Sequence, residues 1–236
     1  MADGPVEREF ARSALRRCAL FARMDDPTLD TVCGSLRVRR YRRNETIFHQ
    51  GDPGDALYIV ESGSVKVVLP SPEGEDAAII ATLDRGDFFG GLARLAGAEH
   101  SAPAVAVEAT QTLVLRREPF EVLVEEQPAL RRALIAGLVA ELRRLTSHVG
   151  ELHFLDLPGR LASRIVTIAR ATDPAAVSDI VLEWPYTQSD LASMIGGTRQ
   201  TVNRLLQDLV TRGLIRLERE HLVIPDLEAL ARSVDR

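Results

Sequence analysis

Only two cysteines occur in the 236 residues, Cys18 and Cys33, too few and too isolated for a disulfide scaffold, a zinc site or a four-thiolate iron–sulfur cluster. They read as ordinary reduced thiols. No stretch has the apolar length of a membrane helix. The first residues, MADGPVEREFARSALRRCALF, mix charges throughout and lack the uninterrupted apolar core of a secretory signal. The expected location is the cytoplasm, with no membrane partner. A Walker lysine loop, a cluster of metal ligands and a nucleophile elbow are also missing, so no catalytic residue and no metal site is assigned. The formal net charge of −5 argues against a protein that coats nucleic acid indiscriminately, but it leaves room for a local basic patch.

One stretch supplies such a patch. In TQSDLASMIGGTRQTVNRLLQDLVTRGLI, Thr187 to Ile215, Thr187 with Asp190 three residues on is a variant capping box, and Leu191 and Ile195 follow at helical spacing. Gly196-Gly197 ends this helix. Thr198 can cap a second one, in which Val202, Leu205, Leu206 and Leu209 share an apolar side. The opposite arc carries Arg199, Gln200, Asn203, Arg204 and Gln207, with no acidic residue until Asp208. This pattern reads as a helix-turn-helix. Its polar arc suits double-stranded DNA, because a helix fits the major groove, where Arg bonds guanine and Gln or Asn bonds adenine. The amides of the helix start favour phosphate. A solvated face on a small winged domain that binds protein is the alternative. The patch is small, so two copies are expected to bind together.

Upstream, residues to about Arg23 suggest a short helix or two, with Phe10, Leu15 and Leu20 as packing residues. Between Leu36 and Arg117 the pattern changes to short strands, LRVRRY, ETIF, ALYIV, SVKVVL, AAIIATL, APAVAVEA and TLVLR, broken at or near Gly51, Gly54, Gly63, Gly74 and Gly86. This spacing predicts a sandwich or jelly roll. From Pro128 a long helix begins, with Ile135, Leu138, Leu142, Leu145, Val149 and Leu152 at spacings of three and four. That is a heptad seam, expected to pair two chains in parallel, while Leu130, Leu134 and Val139 are available to pack on the chain's own body. FLDLPGR puts Pro158 and Gly159 at the expected hinge, a helix follows from Leu161 to Ala171, and IVLEWP reads as a strand. LIRLE and HLVIP, split at Arg219-Glu220, read as the hairpin of a winged helix, with a capping segment after it. The expected fold class is α+β, with a sensor domain over 1–127, a dimerisation helix and hinge over 128–157, and a winged helix-turn-helix over 158–236.

The motifs GDPGDALY, SGSVKV, GDFFG, FLDLPGRLA and TRQTVNRLL, in that order, resemble the CRP/FNR transcription-factor family, and the resemblance runs from about Leu20 through the helix-turn-helix. It implies a cyclic-nucleotide-binding jelly roll, a dimerisation helix, a homodimer on inverted-repeat DNA, and RNA polymerase as a partner. On DNA it implies that Arg199, Gln200 and Arg204 read bases while Thr187, Gln188 and Gln207 position the backbone. In the CRP subfamily an acidic residue follows the first arginine, and here Gln200 stands there, so the half-site is expected to depart from the family's TGTGA. His49 is assigned no function.

GDFFGGLARL, Gly86 to Leu95, matches the family's phosphate-binding cassette. In the CRP subfamily that cassette resembles F-x-G-E-L followed by R-S, the acid holding the ribose hydroxyl and the arginine the cyclic phosphate. Here Gly91 stands at the acidic position and His100 precedes Ser101. Gly90, Leu92 and Ser101 still match, Thr146 lies near where a base-contacting hydroxyl is expected, and the amides of Gly90, Gly91 and Leu92 can form an anion nest. An exposed His100 would be mostly uncharged at neutral pH. Losing both charged contacts lowers cAMP affinity by several powers of ten. No cofactor is therefore assigned, and the effector is expected to be absent or another nucleotide such as a cyclic dinucleotide. The alternatives are a cAMP-responsive regulator and a non-catalytic regulatory subunit acting on a protein partner.

Overall fold

Two antiparallel sheets face each other in the N-terminal part of the chain, and the sequence of each strand shows which of its sides is covered. The computed structural model describes residues 4–5, 7–70, 77–91, 98–173, 175–219 and 221–234. The first sheet is ordered β1 (Gly4–Pro5), β2 (Leu36–Tyr41), β9 (Thr110–Arg116), β4 (Ala56–Ser62), β7 (Phe88–Phe89). The second is ordered β3 (Thr46–Phe48), β8 (Ala104–Ala106), β5 (Val65–Pro70), β6 (Ala77–Leu83). Strand β4 is buried from Ala56 through Glu61 because both of its faces are covered, which explains its nearly unbroken apolar run. One face sends Tyr58 and Val60 with Val114 toward Phe48, Val65 and Ala104, and the other sends Leu57, Ile59, Leu113 and Leu115 under helices.

Those helices are α1 (Arg8–Arg17), α2 (Asp26–Ser35), α3 (Arg117–Glu126) and the first turns of α4 (Pro128–Phe154). Leu15, Leu20 and Phe21 are fully buried there, and Phe10 packs at the margin. Helix α2 starts where Asp25 accepts from the Thr28 N–H at 2.9 Å, with Pro27 in its first turn. Glu61 is 4% exposed and lies between two arginines, Arg17 at 2.6 Å and Arg85 at 3.1 Å.

The chain divides into two compact units at Arg143/Arg144, within α4. The second contains α5 (Leu157–Thr172), α6 (Gln188–Ile195), α7 (Arg199–Thr211), α8 (Leu227–Arg232) and a three-stranded sheet. Its strand order is β10 (Ser178–Glu183), β12 (His221–Asp226), β11 (Arg216–Glu218), so the expected hairpin forms and pairs with β10. Its turn includes Arg219; Glu220 lies outside the described residues. The final capping segment is α8, started by Asp226 accepting from the Ala229 N–H at 2.9 Å. Among the described residues, no helix is long and apolar enough to cross a membrane.

Candidate functional site

Thr187 and Asp190 close the capping box expected of them. The Asp190 N–H donates to Thr187 Oγ1 at 3.1 Å, and the Thr187 N–H donates to Asp190 Oδ2 at 2.9 Å. Helix α6 ends at Gly196, whose φ of +72° is the left-handed conformation that glycine adopts without strain. Thr198 then caps α7 by accepting from the Thr201 N–H at 3.2 Å. Val202, Leu206 and Leu209 are buried and Leu205 partly so, which fixes the rotation of α7. Arg199, Gln200, Asn203, Arg204 and Gln207 consequently face solvent together. Gln188 is half-buried, and its Nε2 donates to Asn203 Oδ1 at 3.3 Å, so these two polar groups hold α6 and α7 in register before any partner arrives.

The joint between α4 and the helix-turn-helix differs from the expected one. Helix α4 runs to Phe154, Leu155 and Asp156 make the break, and Pro158 and Gly159 lie in the first turn of α5. Asp156 caps that turn by accepting from the Gly159 N–H at 2.9 Å, and proline is well suited to a first turn because its missing N–H has no helical partner there. The residue that ties the joint is Arg160. Its guanidinium donates to the carbonyls of Leu152 at 2.7 Å, Leu155 at 3.0 Å and Ile195 at 3.2 Å. It thus satisfies the last turn of α4 and the end of α6 at once. Ser163 Oγ adds a bond to Glu151 at 2.9 Å. The sequence held a signal for Arg160: a cation in the first turn of a helix opposes the helix dipole and calls for compensating acceptors.

On α4, Leu130 and Leu134 are buried as expected, but Val139 is 45% exposed. Five residues on from Leu134 is about 140° round the helix, which turns Val139 away from the body. Ile135, Leu138, Leu142, Leu145, Val149 and Leu152 are also exposed in the single chain, from 37% at Leu145 to 65% at Leu142 and Val149.

In the cassette, Gly90 has φ +80°, and a Cβ there would lie 2.8 Å from the Tyr58 ring and 3.0 Å from the Ala56 carbonyl. A Cβ on Gly91 would lie 2.6 Å from Leu57 Cδ1. Leu57 thus fills the space that any side chain at the family's acidic position would need. Leu92 lies outside the described residues. His100 is 5% exposed, not the exposed histidine expected, and its ring stacks on Phe48 at 3.6 Å and 7°. The cause is the backbone: the Gly51 N–H donates to the His100 carbonyl and the His100 N–H to the Asp52 carbonyl, both at 2.9 Å, pinning the ring inward. Burial lowers the His100 pKa below its ordinary value, so the imidazole is neutral at neutral pH and has no charge to offer a phosphate. Phe48, Tyr58 and Phe89 continue the cluster, joining His100 to the strand beside Gly90. Ser101 and Thr146 are exposed, as is His49, whose N–H bonds Asp52 at 2.7 Å.

Comparison with known proteins meets this geometry from the outside. The profile of the cyclic nucleotide-binding domain matches residues 38–127, and that of the Crp-like helix-turn-helix domain matches residues 159–233. The cAMP-activated global transcriptional regulator CRP of Escherichia coli is 30% identical over 200 residues, covering 84% of this chain and 94% of that protein. The CRP-like cAMP-activated global transcriptional regulator of Mycobacterium tuberculosis is 28% identical over 218 residues, covering 92% of this chain and 97% of that one. Among solved structures, FixK2 from Bradyrhizobium japonicum superposes with a TM-score of 0.76 at 25% identity, over 85% of this chain and 98% of that one. The Escherichia coli and Mycobacterium tuberculosis relatives are named as transcriptional regulators, and the chain, with a cyclic nucleotide-binding domain ahead of a Crp-like helix-turn-helix, belongs to the CRP/FNR family of transcription factors, a non-enzymatic family.

Proposed function

We propose that this regulator acts as a homodimer paired along the α4 seam, with one α7 from each copy in successive major grooves of an inverted repeat. The observation that carries this reading is the exposed arc of Arg199, Gln200, Asn203, Arg204 and Gln207 on a helix whose other side is anchored in the core. Thr187, Gln188 and Thr198 stand at the two helix starts, where backbone amides favour phosphate. Half-sites about one helical turn, roughly 34 Å, apart fit two such helices. Gln200 supports adenine at the base pair it meets, since its amide both donates and accepts. Domain limits of 1–127, 128–157 and 158–236 accompany this reading, as does contact with RNA polymerase once bound.

The jelly roll is the control element, and its effector is a ligand other than cAMP, such as a cyclic dinucleotide, or none. Supporting this are Leu57 in the space beside Gly91 and the neutral, buried His100. The names of the two cAMP-activated relatives favour the opposite, a cAMP response. Calorimetry separates the two readings: millimolar or absent binding of cAMP at neutral pH is expected, and micromolar binding would establish cAMP as the effector.

Selection of binding sites from random DNA tests the reading face. Enrichment of an inverted repeat is expected. Arg199→Ala should cost on the order of 1–3 kcal/mol at one base pair and relax specificity there. Gln207→Ala should weaken all sequences about equally. If Arg199→Ala returns the same motif with the same information at every position, α7 does not read DNA through Arg199.

A further inference from the structure

A concave site opens on the jelly roll, walled by charged residues outside the cassette. Its volume is about 320 Å³, at the lower end of the range typical of small-molecule pockets. The strand register explains its lining. Arg37 pairs with Val114, and Val114 pairs with Tyr58, while Ala56 pairs with Arg116. Arg37, Arg39 and Arg116 therefore stand on the same sheet face as Tyr58 and Val114. Arg117 completes the wall at the first residue of α3.

Four guanidinium groups line this cavity against two carboxylates, Asp55 and Glu118, which leaves a formal charge of 4 − 2 = +2. Nor is every group idle: Arg117 Nε pairs with Glu121 at 2.9 Å, outside the cavity lining, and Arg37 donates to its neighbour's carbonyl, Leu36, at 3.0 Å. The four guanidinium groups are solvent-exposed, their excess of two positive charges attracts an anion into the hollow, and planar guanidinium forks match phosphoryl oxygens in pairs. The floor is buried and apolar, made of Ala56, Tyr58 and Val114, which strengthens such contacts over those on an open surface. Burial also pushes the Tyr58 phenol up to about 12, so it remains a hydrogen-bond donor at neutral pH.

We infer that this arginine-walled cavity binds a small dianionic phosphorylated metabolite, at a site separate from the cassette. Tyr58 joins the two sites. Its ring forms part of the floor, stacks on Phe89 at 5.1 Å, and lies against Gly90.

The test is calorimetric titration of the full chain with inorganic pyrophosphate at fixed ionic strength. Saturable binding with one site per chain is expected. Arg39→Gln and Arg116→Gln should each weaken it at least tenfold, as expected for a lost charged hydrogen bond. Arg132→Gln, an exposed arginine elsewhere on the same unit, should leave it unchanged. Absence of saturable heat would overturn the proposal. So would equal weakening by Arg132→Gln, which marks general attraction of anions to a positive surface. Tighter binding of a hexaglutamate peptide than of pyrophosphate would also overturn it and identify the hollow as a docking surface for an acidic protein.

Discussion

Restoring the family's acidic residue at Gly91 should fail for a steric reason that one neighbour can relieve. A Cβ at this position falls 2.6 Å from Leu57 Cδ1 and 3.6 Å from Leu57 Cβ and Cγ, so the overlap is with one terminal methyl. Leu57 is fully buried among Leu36, Ile59, Leu113 and Leu115, which limits its escape to other rotamers. Overpacking of this kind costs about 1–3 kcal/mol, so Gly91→Ala should lower the calorimetric melting temperature of the sensor unit by roughly 3–10 °C. Leu57→Val removes both Cδ methyls and should itself cost about 1 kcal/mol. In that background Gly91→Ala should cost less, with a coupling of about 0.5–3 kcal/mol between the two changes. The consequence for ligand follows. Gly91→Glu with His100→Arg should gain cAMP affinity only when Leu57→Val accompanies them, because the carboxylate needs the vacated space. Additive stabilities in the Gly91/Leu57 cycle would refute the steric argument, and so would cAMP binding by the double variant with Leu57 intact.

Three further outcomes are expected. Leu145→Glu sets two carboxylates against each other if α4 pairs in parallel, and sedimentation should then find monomer; an unchanged dimer would move the interface off the seam. Burial depresses the pKa of both His100 and His148, so below about pH 6.5 the unfolded chain binds protons that the folded one refuses, and stability falls as pH drops through that window. Denaturation midpoints at pH 7.5 and 5.5 should draw closer in His100→Phe, which keeps a ring on Phe48 and has no proton to bind. Thr187→Ala opens the α6 capping box and should cost about 0.5–2 kcal/mol, read from the fluorescence of Trp184, the chain's lone tryptophan; an unshifted midpoint would show that the box does not hold the helix.

The elements that could be read from the sequence were those whose pattern has one interpretation. The strands of the jelly roll alternate or run apolar between glycines, and the α6 and α7 caps are spelled by Thr187, Asp190, Gly196 and Thr198 in their own order. Helix α2 went unassigned although Leu29, Val32 and Cys33 keep helical spacing, because Asp25-Asp26-Pro27 reads equally as a turn. Helix α3 was hidden by Phe120, Val122 and Val124, which alternate as in a strand, while only Phe120 and Leu123 are buried. In the site, Gly91 and His100 were legible as departures from the resemblance. The burial of His100 was not, since it depends on hydrogen bonds to Gly51 and Asp52, about fifty residues away in the chain. Nothing local in the sequence specifies that pairing.

Control of DNA binding by the jelly roll requires that a ligand favour one of two states of some element that both ends share. In the regulation proposed above α4 would be that element, and each of its ends is held in a different way. Near its start, Gly137 brings the backbone so close to the cassette strand that a Cβ there would lie 3.0 Å from Phe88 Cζ, a contact with almost no slack. A shift of Phe88 therefore has to move the helix or be resisted by it. Near its end, α4 meets the next helix through only Leu155 and Asp156, and Arg160 bridges this break by bonding three carbonyls. Hydrogen bonds to a charged group are strong only while their geometry lasts, so a displacement of the last turn weakens the bonds at Arg160. One of the three acceptors, the Ile195 carbonyl, closes the helix that precedes α7. A tight apolar contact at Gly137 and a three-carbonyl clasp at Arg160 are the two features of α4 that the proposed regulation would have to use.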